Sequence, residues 1–475
     1  MSTISTTNQR MSSPQPFSHA LRQATMIEIF PEDRLEARQL SDRAHGEPQQ
    51  WSVYLQFLCW KAFERWLHSH IEVDEDLELT ISTKHCSLFH AAQANICDAV
   101  HNIEINEFKV CLIVLDHPSE EEIIIPQSAI DSSDFSAHFY VVLGMWDPAI
   151  IENDDDYHVD DYGECDEDCV ILYGIVRRDQ LEKSRIEQKL QISDEGNYLL
   201  PWTVIQPNPY YLFHYIEYLS PEAIALPTAP SNTDDILANI DLNTLAESLT
   251  QPDQSLSEIL SEQQCNALLT HPELLQEIYD LQSQTLTKPT SIQSAKIRLQ
   301  ESIVLLTQPA INTALWLQNK LDDIAENLEF YNPLNPSPEL VFRQSIFKPL
   351  MDELRYEGFN IPDDIDPMCC DVEVDGCFFT LGHVMTRSIE QNSSSDEWEV
   401  VIFITTNPIG QPLPLGLKLQ ISTLSNTLAM ESPEDSDEVW CWASAKVSKY
   451  EKWAITLLIS DSSITLPPYQ LSNNK

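Results

Sequence analysis

The sequence predicts an α+β fold with three parts: an N-terminal α+β domain, a helical middle segment and a C-terminal antiparallel β-sandwich. Three observations lead to this prediction. A long apolar helix is followed by a run of strand-like segments, the middle of the chain shows leucines at helical spacing, and the end of the chain shows short strands between turn residues. Because strands are grouped rather than alternating with helices, an α+β architecture is favoured over repeated βαβ units.

The N-terminal helix is predicted over 51–70, where three tryptophans occur within 16 residues. Apolar side chains recur every three or four positions and cover most of the helix circumference. Only a narrow polar edge remains, formed by Gln56, Lys61, Glu64, Arg65 and His68. A helix this apolar belongs in a core, and we expect it to lie under the strands that follow.

Strands are predicted after this helix wherever Val, Ile, Tyr and Phe cluster between turn residues, namely at 77–83, 100–105, 108–115, 122–126, 137–146 and 169–177. Residues 1–25 are polar and are predicted to be a disordered tail, so the first domain is assigned to 26–205. Residues 206–233 are rich in proline and tyrosine and are predicted to be a linker. Aromatic rings at 210–218 can stack on a ligand, but they more typically pack a linker onto a neighbouring domain.

The helical region is assigned to 234–332, where Leu and Ile recur at helical spacing and prolines separate the segments. One amphipathic helix is predicted over 310–328. The last domain is assigned to 338–475, where six short strands are predicted at 372–374, 377–381, 398–405, 417–422, 438–445 and 453–460. Their even spacing is typical of an antiparallel sandwich or barrel.

The charge of the chain is strongly negative, with 75 acidic residues against 27 basic ones and a net charge of −48. Such a surface repels phosphate backbones and anionic lipids, so nucleic-acid and membrane binding are disfavoured, and it attracts basic partners. No apolar run reaches the length of a membrane span, and no secretory signal is visible. Eleven cysteines without repeated spacing are typical of reduced thiols. We therefore expect a cytoplasmic protein.

Standard catalytic motifs are absent from the sequence. With ten glycines, none of them two or four residues apart, the chain has no G-x-G-x-x-G and no G-x-S-x-G motif. It has no phosphate-binding G-x-x-x-x-G-K-[ST] loop, and no histidine is followed by Glu, as the H-E-x-x-H helix of zinc proteases requires. These observations predict no cofactor and disfavour an enzyme.

A first candidate metal site is the segment 153–169, which carries nine carboxylates in 17 residues. Hard cations such as Ca²⁺ take oxygen ligands, and Asp154, Asp156, Asp160 and Glu164 are the candidate ligands. The EF-hand register fails, because Asp161 stands where the sharp turn requires Gly. The competing interpretation is a solvated acidic loop.

A second candidate is the thiol and imidazole group Cys370, Cys377 and His383, with Cys369 beside it, because four such ligands can hold Zn²⁺. Adjacent cysteines on a strand point to opposite faces, which argues against a shared site. Two weaker groups are Cys165 and Cys169 with His158, and the pair His68 and His70. Histidines near a helix C-terminus are also favourable to the helix dipole.

The chain resembles the cyanobacterial DUF1822 family, a domain of unknown function. Three blocks carry the resemblance: the tryptophan helix with the strands through Ile123-Ile-Ile-Pro126, Phe139-Tyr-Val-Val142 and Leu172-Tyr-Gly-Ile175; the Asn312-x-x-x-Trp316-Leu-Gln segment; and Leu413-Pro-Leu-Gly-Leu-Lys-Leu419 with the closing strand at 453–460. The acidic segment 153–168 is not part of that pattern, and the hairpin at 450–453 lacks the expected Gly. The resemblance implies a bacterial cytosolic protein and brings no reaction or site residues.

The sequence as a whole predicts a non-enzymatic protein-interaction or regulatory protein that binds another protein, one of basic charge. The alternative is a metal-binding protein or metal-dependent enzyme that uses the 153–169 carboxylates or the Cys369–His383 group. A small-ligand binding module at 210–218 is a third hypothesis.

Overall fold

The structure is a computed structural model that describes residues 20–21, 23–71, 79–116, 122–145, 169–188, 191–193, 197–228, 233–249, 251, 254–287, 292–318, 320–333, 341–359, 361–362, 365–387, 397–424, 426–449, 451–460 and 462–471. The chain divides into two compact units, one from 1–233 with 251–286 and the other from 234–250 with 287–475. The predicted α+β class is confirmed, with a helix-covered sheet in the first unit and antiparallel sheets in the second.

The first unit combines helices and strands, and three of its strands, at 100–105, 108–115 and 169–177, have the bounds predicted from the sequence. Its elements in chain order are β1 (Thr25–Glu28), α1 (Pro31–Ser41), α2 (Glu47–Ile71), β2 (Ile81–Ser82), α3 (Ala91–Ala94), β3 (Val100–Ile105), β4 (Phe108–Leu115), β5 (Glu122–Ile125), α4 (Gln127–Asp131), β6 (Phe139–Met145), β7 (Cys169–Arg177), α5 (Arg178–Gln188), β8 (Gln191–Ile192), β9 (Tyr198–Pro201) and α6 (Tyr211–Tyr218).

Six of these strands form one sheet in the order β1-β7-β6-β4-β3-β2. Strands β4 and β6 are parallel, and the other neighbours are antiparallel. One face of the sheet packs against α2, as the sequence predicts, with Phe63 and Trp66 of the helix in the same core as Leu112 and Val141 of the strands. The opposite face is buried under the three-stranded sheet β5-β9-β8 and its neighbouring helices.

The polar edge predicted for α2 is wrong at one position. Gln56 is buried, and its side-chain amide donates to the carbonyl oxygen of Cys97 over 3.0 Å. Gln49 makes the same kind of bond to Ala94 O at 2.7 Å. A buried amide is stable there because the loop after α3 supplies unpaired backbone acceptors, which periodicity does not reveal. Ala20 and Leu21, within the predicted tail, are also buried.

The helices of the middle region are divided between the two units, and their hydrogen bonds explain the division. Tyr279 donates to Arg43 O at 2.9 Å and Asn95 to Gln282 Oε1 at 3.3 Å, which ties this segment to the first unit. Lys452 donates to Leu305 O at 3.1 Å in the second unit. The helices are α7 (Thr233–Ala238), α8 (Leu242–Leu249), α9 (Leu256–Ile259), α10 (Glu262–Leu269), α11 (Pro272–Thr287) and α12 (Ile292–Thr307).

The predicted helix over 310–328 is wrong. The segment forms β10 (Ile311–Asn312), a 3₁₀ turn (Thr313–Gln318) and α13 (Asp323–Asn327). Asn312 N donates to Asp322 Oδ2 at 2.6 Å, and Asp322 Oδ1 caps α13 by accepting from Ala325 N at 2.9 Å. These local side-chain bonds compete with a continuous helix, and β10 gains a parallel pairing with residues 469–470.

The remaining elements of the second unit are α14 (Val341–Tyr356), β11 (Met368–Val374), β12 (Cys377–Arg387), β13 (Glu397–Thr406), β14 (Leu417–Ser422), β15 (Thr427–Glu431), β16 (Trp440–Ser448), β17 (Ala454–Ile459), β18 (Ser462–Thr465) and β19 (Tyr469–Gln470). Strands β11 to β18 form the predicted β-sandwich-like pair of antiparallel sheets, β11-β12-β13-β16 and β15-β14-β17-β18, whose inner faces share one core. Helix α14 covers the outer face of the first sheet. The hairpin between β11 and β12 turns at Asp375 and Gly376, whose positive φ angles of 52° and 74° fit the tight turn that an Asp-Gly pair favours.

Within the described ranges, no helix combines the length and apolar character that crossing a membrane requires.

Candidate interaction surface

Helix α6 presents a row of aromatic rings to solvent. Tyr211, His214 and Tyr218 share one face of the helix, and the ring centroids are 6.0 Å apart for the first pair and 6.4 Å for the second. Tyr218 is 74% exposed and Tyr211 40%, and Tyr210, which precedes the helix, is 44% exposed. We call Tyr210, Tyr211, His214 and Tyr218 the aromatic strip. Exposed tyrosines at this density are typical of protein interfaces.

The opposite face of α6 holds the helix against the core of the first unit. Leu212 and Ile216 are buried in that core. Phe213 packs on Trp66 of α2 with ring centroids 4.9 Å apart, and Tyr215 stacks on Phe139 of β6 at 5.9 Å with an interplanar angle of 5°. The strip is therefore displayed by a helix that is anchored on a sheet and on the tryptophan helix.

The end of α2 supports one end of the strip. The His70 ring lies 4.8 Å from the Tyr210 ring, and its Nδ1 is 2.7 Å from Trp66 O. His68 Nδ1 is likewise 2.8 Å from Glu64 O. Both histidines are thus bonded to carbonyls of their own helix near its C-terminus, where a donating imidazole is favourable.

A guanidinium is already stacked on α6. Arg177 lies over the Tyr215 ring at 4.9 Å, and its Nε donates to Asp179 Oδ1 at 2.8 Å. This hydrogen bond is the largest cause that raises the pKa of Arg177 and lowers the pKa of Asp179. Both groups are consequently charged at neutral pH.

Carboxylates lie beside the strip. Glu217 is adjacent to Tyr218 on α6, and their side-chain hydrogen bond raises the pKa of Tyr218. Glu222 follows the helix, and its pKa is lowered first by a bond to its own backbone amide and then by the Ser220 hydroxyl. The strip therefore combines exposed aromatic rings with an adjacent carboxyl group.

The first predicted metal group cannot be placed, because Asp154, Asp156, Asp160 and Glu164 lie outside the described residues. Cys165 and His158 of the weaker group lie there too, whereas Cys169 is buried at the start of β7.

The second predicted metal group is spread along the β11–β12 hairpin. Cys370 pairs with Leu381, Cys377 pairs with Val374 at the turn, and His383 pairs with Met368 at the far end. Six residues of strand separate Cys377 from His383, about 20 Å at the usual rise. Cys369 and Cys370 enter different cores on opposite faces of the sheet. In the part of the chain that the structure describes, no three His, Cys, Asp or Glu side chains are grouped to hold a metal ion.

His383 instead lies in an aromatic cluster. Its ring is 4.9 Å from Tyr469, 5.4 Å from Trp316 and 5.5 Å from Phe330. Burial lowers the pKa of His383 to about 3 and raises the pKa of Cys370 to about 12. Both groups are neutral at physiological pH and serve packing.

Glu301 is a buried carboxyl that no pattern in the sequence indicated. Its Oε1 accepts hydrogen bonds from Gln420 Nε2 at 2.7 Å and Thr456 Oγ1 at 2.5 Å, both on the outer face of the second sheet. Arg298 lies 3.8 Å from Oε2 but donates to Thr423 O and Leu424 O. Burial dominates and raises the pKa of Glu301. The carboxyl therefore fastens α12 to the sheet through hydrogen bonds from a hydroxyl and an amide.

Comparison with known proteins supports part of the resemblance. Residues 27–145 match the model of DUF1822, described as a protein of unknown function. The match contains α2 and the strands up to β6, whereas the blocks at 312–318 and 413–419 and helix α6 lie outside it. No curated protein matches the chain. Over residues 27–145 the chain is thus similar to the DUF1822 family, whose function is unknown.

Proposed function

We propose that this protein is a cytoplasmic, non-enzymatic interaction or regulatory protein that binds a basic partner protein. The observation that carries the proposal is the aromatic strip, whose four rings are exposed although Leu212 and Ile216 on the opposite face of α6 are buried in the core. Tyrosine is enriched among the residues that dominate binding energy at interfaces, since a rigid ring buries much area at little entropic cost.

The net charge indicates what kind of partner fits. A chain of charge −48 repels acidic proteins and nucleic acids and raises the encounter rate with basic ones. The cytoplasmic location is supported by the cysteine usage, since eleven cysteines without repeated spacing are typical of reduced thiols. A cyanobacterial source follows from the family resemblance alone.

The experiment is an affinity purification from native lysate with the tagged full chain as bait. We expect a basic protein in stoichiometric amount at about 0.1 M salt and its loss at about 1 M salt. The reason is that the Debye length, over which charges attract, falls from about 10 Å to about 3 Å. The matched control is the same tagged chain immobilised on the resin after unfolding. It has the same charge as the folded bait, but its aromatic rings are no longer arranged as a strip. Recovery of no stoichiometric partner at any salt concentration would contradict the proposal, as would equal recovery by the unfolded bait.

A further inference from the structure

We propose that the aromatic strip binds arginine side chains of an extended, basic segment of the partner protein. In this arrangement a guanidinium stacks on the exposed ring of Tyr218 and pairs with the Glu217 carboxylate, and a second one stacks on Tyr211. This inference rests on the proposed function and adds the surface and the chemistry that it recognises.

The first unit already contains three such arrangements, each made of an arginine, an aromatic ring and a carboxylate. Arg65 lies over Phe30 at 4.2 Å and pairs with Asp33 at 2.6 Å. Arg185 lies over Tyr198 at 5.3 Å and pairs with Asp131 at 2.9 Å. The third is Arg177 over Tyr215 at 4.9 Å with Asp179, on α6 itself.

Tyr218 and Glu217 supply the ring and the carboxylate of a fourth arrangement. They are adjacent on α6, and Tyr218 is 74% exposed, so its ring is open to a cation from outside. In the described residues, the three arginines stacked on rings are those over Phe30, Tyr215 and Tyr198. The position over Tyr218 is therefore one that an external guanidinium can take.

Charge selects the occupant of the strip. Bases of single-stranded nucleic acid also stack on tyrosine, but their phosphates would meet Glu217 and a chain of charge −48. A second copy of this chain carries the same negative charge. A basic peptide segment gains from both the rings and the carboxylates.

Arginine fits better than lysine. The planar guanidinium stacks on a ring while it donates two hydrogen bonds to a carboxylate, whereas an ammonium is a compact, strongly hydrated charge. Seven residues of helix separate Tyr211 from Tyr218, about 10 Å along the axis. Every third residue of a polyproline II segment is spaced by about 9 Å, so the motif Arg-x-x-Arg in an extended chain matches the two rings.

The test is fluorescence anisotropy of labelled synthetic peptides with the full chain. The probes are a Ser-rich peptide with an Arg-x-x-Arg motif and the same peptide with Lys in place of Arg. We expect the arginine peptide to bind more tightly, and the double substitution Y211A/Y218A to weaken it about 5- to 30-fold, at about 0.5–1 kcal/mol per ring. E217Q is expected to weaken binding and to reduce its salt dependence, whereas Y211F/Y218F retains affinity within about twofold because the rings remain.

The matched control is Y356A/E357Q, an adjacent Tyr and Glu at the end of α14, where Tyr356 is 89% exposed. These substitutions remove the same groups from another surface and should leave binding unchanged. Equal affinity of the wild type and Y211A/Y218A, or binding of the lysine peptide as tight as that of the arginine peptide, would overturn the inference. If the peptide test fails but the wild type recovers from lysate a basic partner that Y211A/Y218A does not recover, the arginine chemistry is wrong and the proposed function stands. If the wild type recovers no basic partner, the proposed function fails.

Discussion

The ring of Phe403 lies directly over Gly382 across the ladder between β12 and β13. The two residues are register partners, and a Cβ built on Gly382 would overlap the Phe403 ring. Phe403 is fixed from the other side by Phe347 of α14, with ring centroids 5.8 Å apart. Glycine at 382 therefore makes room for a large ring between the sheet and the helix that covers it.

We predict that Gly382→Ala destabilises the second unit. The added methyl group forces Phe403 out of its position against α14, and overpacking of this kind costs about 1–3 kcal/mol. Urea denaturation followed by far-UV circular dichroism measures the loss. The double variant G382A/F403L should lose less than the sum of the two single variants, because the smaller side chain leaves room for the methyl group. Additive losses would show that the ring is free to move.

Glu301 makes stability depend on pH. Because burial raises its pKa in the folded protein, its contribution is fully present below its unfolded pKa of about 4.3 and is lost as pH rises through the folded value. Glu301→Gln keeps an oxygen acceptor for Gln420 and Thr456 but carries no proton to lose. We expect E301Q to gain stability relative to the wild type as pH rises from about 4. Thermal unfolding across pH measures the difference, and E273Q, at an exposed carboxylate of α11, is the control. A difference that does not change with pH would contradict the raised pKa.

Truncation of Trp66 tests the tryptophan helix. Trp66 is 4% exposed and packs on Phe213 of α6, so Trp66→Ala should cost about 3–5 kcal/mol. Trp51 on the same helix is 52% exposed, and Trp51→Ala should cost less than about 1 kcal/mol. Chemical denaturation of both variants gives the comparison. Equal losses of unfolding free energy in the two variants would mean that the Trp66 face of α2 is not buried.

The cysteines of the hairpin should differ in reactivity. Burial raises the pKa of Cys370 to about 12, so almost no thiolate forms at neutral pH, whereas Cys377 is only half-buried at the turn. Iodoacetamide labelling with peptide mapping should modify Cys377 first and leave Cys370 unmodified until the protein unfolds. Labelling of both at equal rates in the native protein would contradict the placement of Cys370 in the core.

Local patterns predicted much of the fold because each strand carries its own signal. Val100–Ile105 and Leu417–Ser422 were predicted with the bounds that the structure has, since alternating or continuous Val, Ile and Leu mark half-buried and fully buried strands. The prediction for 310–328 was wrong because its apolar spacing fits one continuous helix as well as the short strand, 3₁₀ turn and short helix that the structure has. Its conformation is decided by the pairing with β19 and by Asp322, two contacts that depend on the rest of the unit.

The sequence showed the aromatic residues of the strip but not which of them face solvent. The stretch at 210–218 is rich in tyrosine. In the structure it is a helix, whose period places Leu212 and Ile216 on the buried face and Tyr211 and Tyr218 on the exposed face. Applied to these eight residues, that period would have identified the two faces. The three arginine–ring–carboxylate arrangements could not be found in this way, since Arg65 and Phe30, for instance, lie 35 positions apart in the chain.

Composition and periodicity were sufficient for the α+β class, the core role of α2 and the strongly negative net charge, because these depend on side-chain type and on spacing along the chain. Tertiary structure alone decided that Glu301 is buried, that Cys370, Cys377 and His383 are spread along a hairpin, and that Tyr218 faces solvent beside Glu217. The reason is physical: burial, proton affinity and ring stacking depend on which groups approach through space, and residues distant in the chain supply most of those groups.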